Sequence, residues 1–167
     1  MKQEIITDRL MLSALQITDA EFIFDLLNSP GWLQFVGDRN IRDIKDAEAY
    51  IKKIQDNPLT KFWTVKLKDD ARPMGIVSYV KREYLTEHDL GFAFLPAYVK
   101  QGYAYEASRA VLHSLASKDA PVKILAITAM NNLSSVRLLD KLGFVFDSQI
   151  EVEERKLRLY KFIKGGN

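Results

Sequence analysis

The chain has 167 residues, a formal net charge of +2 and 47% hydrophobic residues, the profile of a globular protein with a sizeable core. With no cysteine and only two histidines it excludes disulfides, a covalent cysteine nucleophile and the usual zinc sites, so no metal is expected. No run approaches the ~20 apolar residues of a membrane span, MKQEIITDRL lacks a signal-peptide core, and the scattered basic residues form no patch; a cytoplasmic protein without membrane or nucleic-acid partners is expected.

Along the chain, residues 9–15 (RLMLSAL) read as a first strand. Thr18 or Asp19 can cap a helix in which Phe22, Ile23, Leu26 and Leu27 recur at helical spacing, and Asn28-Ser29-Pro30-Gly31 stops it. WLQFVGDRN, residues 32–40, follows as a loop, and a second helix runs over residues 45–55. Residues 62–68 alternate as a strand does, with Phe62, Thr64 and Lys66 on one face and Trp63, Val65 and Leu67 on the other. GIVSYV (75–80) and DLGFAFL (89–95) are the next strands, divided by the polar turn KREYLTEH. A helix over residues 103–117 carries Ala104, Ala107, Val111 and Leu115 as its buried stripe. A strand at 124–128 and a helix at 133–142 follow, the helix ended by Gly143 as a left-handed cap. Residues 145–150 and 156–163 close the chain as a hairpin around the solvated charge run EVEERKLR. No repeat or linker divides the chain, so residues 1–167 are expected to form a single domain. This mixed order predicts an α+β fold with a mostly antiparallel, twisted central sheet of about seven strands and about four helices.

The segment LPAYVKQGYAYEA, residues 95–107, carries the strongest functional signal. A strand runs into a Gly-x-Ala turn that opens an amphipathic helix. A helix N-terminus presents amide hydrogens without intrahelical partners at the positive end of the macrodipole, and phosphates settle there. Gly102 lets the backbone approach closely, and Ala104 stays small for the same reason. No Gly-Lys-Ser/Thr follows, which excludes a P-loop.

The turn and the downstream segment NLSSVRLLDKLGF (132–144) together resemble the GNAT superfamily of acyl-CoA-dependent N-acetyltransferases. The opening TDRLMLSAL (7–15) and the stretch DLGFAFLPAYVKQGYAYEA (89–107) are similar to motifs of its RimJ/RimL branch, which acetylates N-terminal amines of ribosomal proteins. The resemblance implies a GNAT-like acyl-CoA N-acyltransferase fold, acetyl-CoA as cofactor, and direct transfer of acetyl to a primary amine in a ternary complex. The implied acceptor is a peptide N-terminus; a small amine (polyamine, amino acid or antibiotic) and a non-catalytic acyl-CoA-binding module are the alternatives. Monomer and homodimer are both compatible with the chain.

On that resemblance, Val99, Lys100, Gln101, Gly102, Tyr103 and Ala104 hold the pyrophosphate, and the main chain of Phe94 and Leu95 pairs with the pantetheine arm as an added strand would. Asn132 aligns with an asparagine that binds the pantetheine, while also being a favoured helix N-cap. The chain departs from the family where Val99 and Lys100 replace a frequent Arg or Gln and a Gly, where Ser13 replaces an arginine, and where Leu139 replaces a tyrosine that acts as general acid. Ser135, one turn beyond Asn132, is therefore the candidate to serve the leaving thiolate. For the amine, Asp89 is the first candidate base or orienting group and His88 the second, although His88 falls on the opposite strand face; a water chain is the third option. Acceptor specificity is expected in WLQFVGDRN and KREYLTEH, with Asp38 able either to meet an ammonium or to cap its own loop.

Overall fold

Side chains alternating across the sheet let each strand feed a core on either face. In the computed structural model, which describes residues 4–117 and 121–164, eight strands form one sheet. They are β1 (Ile5–Ile6), β2 (Leu10–Ala14), β3 (Thr60–Leu67), β4 (Pro73–Lys81), β5 (His88–Phe94), β6 (Val122–Ala129), β7 (Val145–Val152) and β8 (Arg155–Lys164). Their order is β1-β2-β3-β4-β5-β6-β8-β7. Along β3, Trp63 and Val65 point into one core and Phe62 into the other, as the alternation requires.

Each face is covered by helices whose apolar stripe is complementary. On one side α4 (Tyr103–Leu115) and α5 (Leu133–Leu142) bring Ala107, Val111, Leu112, Leu139 and Leu142 against Val65, Val77 and Leu90. On the other, α1 (Ala20–Leu27), α2 (Pro30–Phe35) and α3 (Ile44–Asp56) bring Ile23, Leu26, Trp32, Ala47 and Ile51 against Ile76. The result is a three-layer α/sheet/α arrangement with two cores, the architecture expected for an α+β chain. No helix of the described residues is long and apolar enough to cross a membrane.

Two elements exceed the sequence expectation. The two-residue β1 extends the sheet edge by pairing with Met11 and Leu12. Helix α2 replaces the start of the expected loop: Ser29 is its N-cap in an extended conformation and Pro30 takes the first helical position. Proline has no N–H to lose there, so Pro30 begins α2 just after Asn28 has capped α1.

Every strand pair is antiparallel except β5–β6, which the α4 crossover makes parallel. These two strands pair only at Asp89 and Leu125 among the described residues. Beyond that point their facing edges carry no partner strand. Leu95 N–H donates to Met74 C=O at 2.9 Å, and Ala93 lies opposite Ile76. By the alternation of an antiparallel ladder, Leu95, Ala93 and Gly91 turn their main-chain groups toward β4, whereas Leu90, Phe92 and Phe94 turn theirs toward β6.

Candidate active site

The gap between β5 and β6 opens into a cleft of about 540 Å³ on the α1–α3 side of the sheet. Its floor is Ser78, Val80, Asp89, Gly91 and Ala93. Gly91 keeps that floor low, because a Cβ there would stand 2.6 Å from the Ser78 Oγ. Trp32, Phe35, Val36, Arg39 and Tyr50 form the helical wall, Arg82 and Tyr84 one end, and Val152, Glu153 and Arg155 of the β7–β8 hairpin the other side. Ala126, Thr128, Asn132, Ser135 and Leu139 line the end next to the gap. Both segments expected to set acceptor specificity thus reach one cavity.

Asp89 is 1% exposed and accepts from Arg82 Nε at 2.6 Å. Burial pushes its carboxyl above the ordinary carboxylate range, with the Arg82 guanidinium opposing the shift. Burial also disfavours the Arg82 cation, but Asp89 and the Tyr84 phenol outweigh it and hold the guanidinium charged. Tyr50, raised by burial, feels both Arg39 and Arg82. Arg155 reaches across to donate to the carbonyls of Phe35 and of Val36, the latter at 3.3 Å, so the last hairpin is tied to the end of α2. The Trp32 indole N–H is buried and has no acceptor among the described residues.

His88 is absent from this wall. Strand alternation carries it to the α4 side, where its ring stacks on Tyr79 with centroids 4.4 Å apart. Asp38 is taken by Arg42 through contacts of 2.6 and 3.2 Å and by the Asn40 N–H at 2.8 Å, which is its loop-capping alternative. Asn132 caps α5, its Oδ1 accepting from Ser135 N–H at 3.3 Å, and both side chains face the cleft end at β6. Leu139, 1% exposed, supplies no proton there.

The turn at the end of β5 is built from a short 3-10 segment, Pro96–Tyr98, and two left-handed residues, Lys100 at φ 62° and Gly102 at φ 82°. Such an alternation curls successive amides into a concavity suited to an anion. The first main-chain bond of α4 is Glu106 N–H to Gly102 C=O at 3.0 Å. Among the described residues the amides of residues 100–105 have no acceptor. Val99 differs from expectation: its N–H faces the Pro96 carbonyl at 3.5 Å, so the free donors begin at Lys100. Leu95 also differs, because Met74 already holds its N–H; Phe92 and Phe94 are the residues whose main chain faces the gap.

A clamp from the far edge of the sheet steadies this turn. Glu106 Oε1 accepts from Thr7 Oγ1 at 2.6 Å and from Arg9 N–H at 3.0 Å, and its Oε2 accepts from Arg9 Nε at 2.7 Å. Arg9 also donates from Nη1 to Gln101 C=O at 3.0 Å and lies 4.3 Å over the Tyr103 ring. The Thr7-x-Arg9-Leu10 segment, which the sequence alone leaves without a role, thereby holds the turn from its Gln101 carbonyl side. Burial alone would raise the Glu106 carboxyl, but the Thr7 hydroxyl and the Arg9 amide and guanidinium hold it below its ordinary value.

Residues 9–145 match the family model of the acetyltransferase (GNAT) domain. The chain belongs to the GNAT acetyltransferases. It is similar to the uncharacterized N-acetyltransferase YnaD of Bacillus subtilis, 26% identical over 141 residues, covering 83% of this chain and 81% of that protein. Its fold is shared by the RimL ribosomal L7/L12 alpha-N-protein acetyltransferase in complex with coenzyme A, with TM-score 0.82, 13% identity and coverage of 96% and 98%. A chimera of the spermidine N-acetyltransferase SpeG from Vibrio cholerae and hSSAT is also similar, with TM-score 0.76, 17% identity and coverage of 92% and 95%.

This GNAT chain is an acetyl-CoA-dependent N-acetyltransferase. Its own geometry suits that cofactor. The outward amides of residues 100–105 fit a diphosphate, and a Cβ on Gly102 would crowd the Arg9 guanidinium at 3.3 Å. The unpaired edge at Phe92 and Phe94 fits an extended arm carrying amides. Acetyl-CoA, when bound, supplies an activated acetyl thioester.

Proposed function

We propose that this GNAT enzyme acetylates an α-amine, that of a peptide N-terminus, in the manner of the RimJ/RimL branch. One observation carries the reading: the cleft floor offers a single carboxylate, Asp89, and that carboxylate is already ion-paired with Arg82. A paired carboxylate is a modest base. An N-terminal amine with a pKa of ~7.7–8.0 is partly neutral at physiological pH, whereas a lysine at ~10.4 must first lose its proton at a cost of about 3 kcal/mol more. The raised Asp89 carboxyl can orient the amine and take its proton, since burial brings it closer to the amine's range. Ser135 is the proposed proton donor at the β6 end, and Asn132 holds Ser135 in place through the helix cap.

A polyamine suits this cavity poorly. Among the described residues Glu153 is the one lining carboxylate without a partner, so two or three ammonium groups would meet arginines instead. The test is thiol release from acetyl-CoA with three acceptors: a peptide with a free N-terminus, the same peptide capped at its N-terminus but retaining a lysine, and spermidine. Turnover of the free peptide should exceed that of the other two. Spermidine or the capped peptide as the better acceptor would overturn the reading.

A further inference from the structure

Five charged side chains line the cleft: Arg39, Arg82, Arg155, Asp89 and Glu153. Arg155 is committed to the carbonyls of Phe35 and Val36. Arg82 and Asp89 cancel one another, with the contact running through Nε alone of the three guanidinium nitrogens. Arg39 has no hydrogen bond or ion pair among the described residues, although it stands close enough to act, together with Arg82, on the Tyr50 phenol. Two guanidinium groups therefore border the same cavity, and one of them is uncommitted. The Tyr50 and Tyr84 hydroxyls of the same cavity add donors. Guanidinium groups present forked N–H donors that match a carboxylate, and an uncommitted one in a substrate cleft is a waiting partner for an anion.

We propose that the acceptor carries a carboxylate close to its reacting amine, and that Arg39, backed by Arg82, is the specificity-determining residue that selects it. The proposal rests on the acetyltransferase reading of the same cleft. Two sources share this chemistry: an acidic side chain near a peptide N-terminus, and the α-carboxylate of a free amino acid.

The experiment measures thiol release by the full chain at saturating acetyl-CoA with two matched pairs. One pair is a peptide beginning Ala-Glu against the same peptide beginning Ala-Gln; the other is free alanine against alaninamide, each rate being referred to the neutral amine because the α-carboxylate raises the amine pKa. The acid member of at least one pair should show about tenfold higher kcat/KM, the size of one charge-assisted contact discounted for Arg39 exposure. That ratio should shrink as salt rises, because exposed charges are screened. In Arg39→Gln it should fall to about one, and Arg39→Lys should keep part of it. A thermal shift with acetyl-CoA matching wild type certifies that each variant is folded, and the salt series on wild type tests the charge independently of any variant. Equal rates within both pairs would overturn the carboxylate while leaving acetyl transfer to an α-amine intact. Discrimination confined to alanine and alaninamide would support the carboxylate and remove the peptide. Full discrimination in Arg39→Gln would take the role away from Arg39.

Discussion

Substitutions at Gly102 separate what the turn demands of the fold from what it offers the cofactor. Gly102 is the left-handed N-cap of α4 at φ 82°. Gly102→Ala places an L side chain there at a cost of roughly 1–2 kcal/mol. Its Cβ would also meet Arg9 Nη2 at 3.3 Å, a contact that the half-exposed Arg9 side chain relieves by a small shift. In a chain of this size ~1 kcal/mol moves Tm by about 2–4 °C, so the free alanine variant should melt roughly 2–8 °C below wild type. Gly102→Glu carries the same backbone strain. Its carboxylate, however, stands at the helix N-terminus beside Arg9, where an anion gains roughly 0.3–1 kcal/mol. The free glutamate variant should therefore melt no lower than the alanine one. With acetyl-CoA the order reverses. A carboxylate ~5 Å from a phosphate charge repels it by about 0.8 kcal/mol in water and about 3 kcal/mol at an effective permittivity of 20. Affinity should fall about four- to two-hundredfold by that repulsion alone. The assay is thermal melting with and without acetyl-CoA. At a hundred times Kd the ligand adds ~2.7 kcal/mol, a shift of roughly 5–11 °C in wild type. Gly102→Glu should lose roughly a third to nine-tenths of that shift while Gly102→Ala keeps most of it. A full shift in the glutamate variant would refute diphosphate binding at this turn.

Two further substitutions probe the groups around it. Glu106→Gln should cost about 1–2 kcal/mol at neutral pH, because it removes the anion that Thr7 and Arg9 converge on. The Glu106 carboxyl lies below its ordinary value of 4.5 in the folded chain, so its stabilisation is present above that pH and fades as pH falls through the lower, folded value. Melts between neutral and acid pH should show wild type and variant converging; a gap that ignores pH would refute the clamp's ionic character. Ser135→Ala should lower kcat on the order of tenfold with little change in the KM for acetyl-CoA, modest because a thiol of pKa ~8.5 leaves readily. Equal changes in both constants would make Ser135 a binding contact, and wild-type kinetics would remove it from the chemistry.

Periodicity made most of the fold readable. Trp63 and Val65 against Phe62, the stripe of α4 through Ala107 and Val111, and the Gly143 cap at φ 97° all follow from local rules acting within a few residues. Helix α2 was hidden because Asn28-Ser29-Pro30-Gly31 reads as a stop, and a proline at a first helical position sends the same local signal as a proline after a helix. The phosphate turn was legible as a motif, but its donor set was not. Whether Leu95 or Phe94 faces the gap depends on ladder register against β4, and register is a property of two strands together. The same holds for the arginines. KREYLTEH and WLQFVGDRN could be marked as acceptor segments, yet only three-dimensional packing distinguishes Arg82, spent on Asp89, from Arg39, spent on nothing among the described residues. The Thr7–Arg9–Glu106 clamp spans 97 to 99 positions, beyond any local rule.

The contact between Arg155 and the carbonyls at the end of α2 joins residues 119 and 120 positions apart. The acceptor side of the cavity is thereby closed by the last hairpin of the chain, whereas the brace on the α4 turn joins residues between Thr7 and Glu106, so damage near the C-terminus should reach the amine's side of the enzyme before it reaches those contacts.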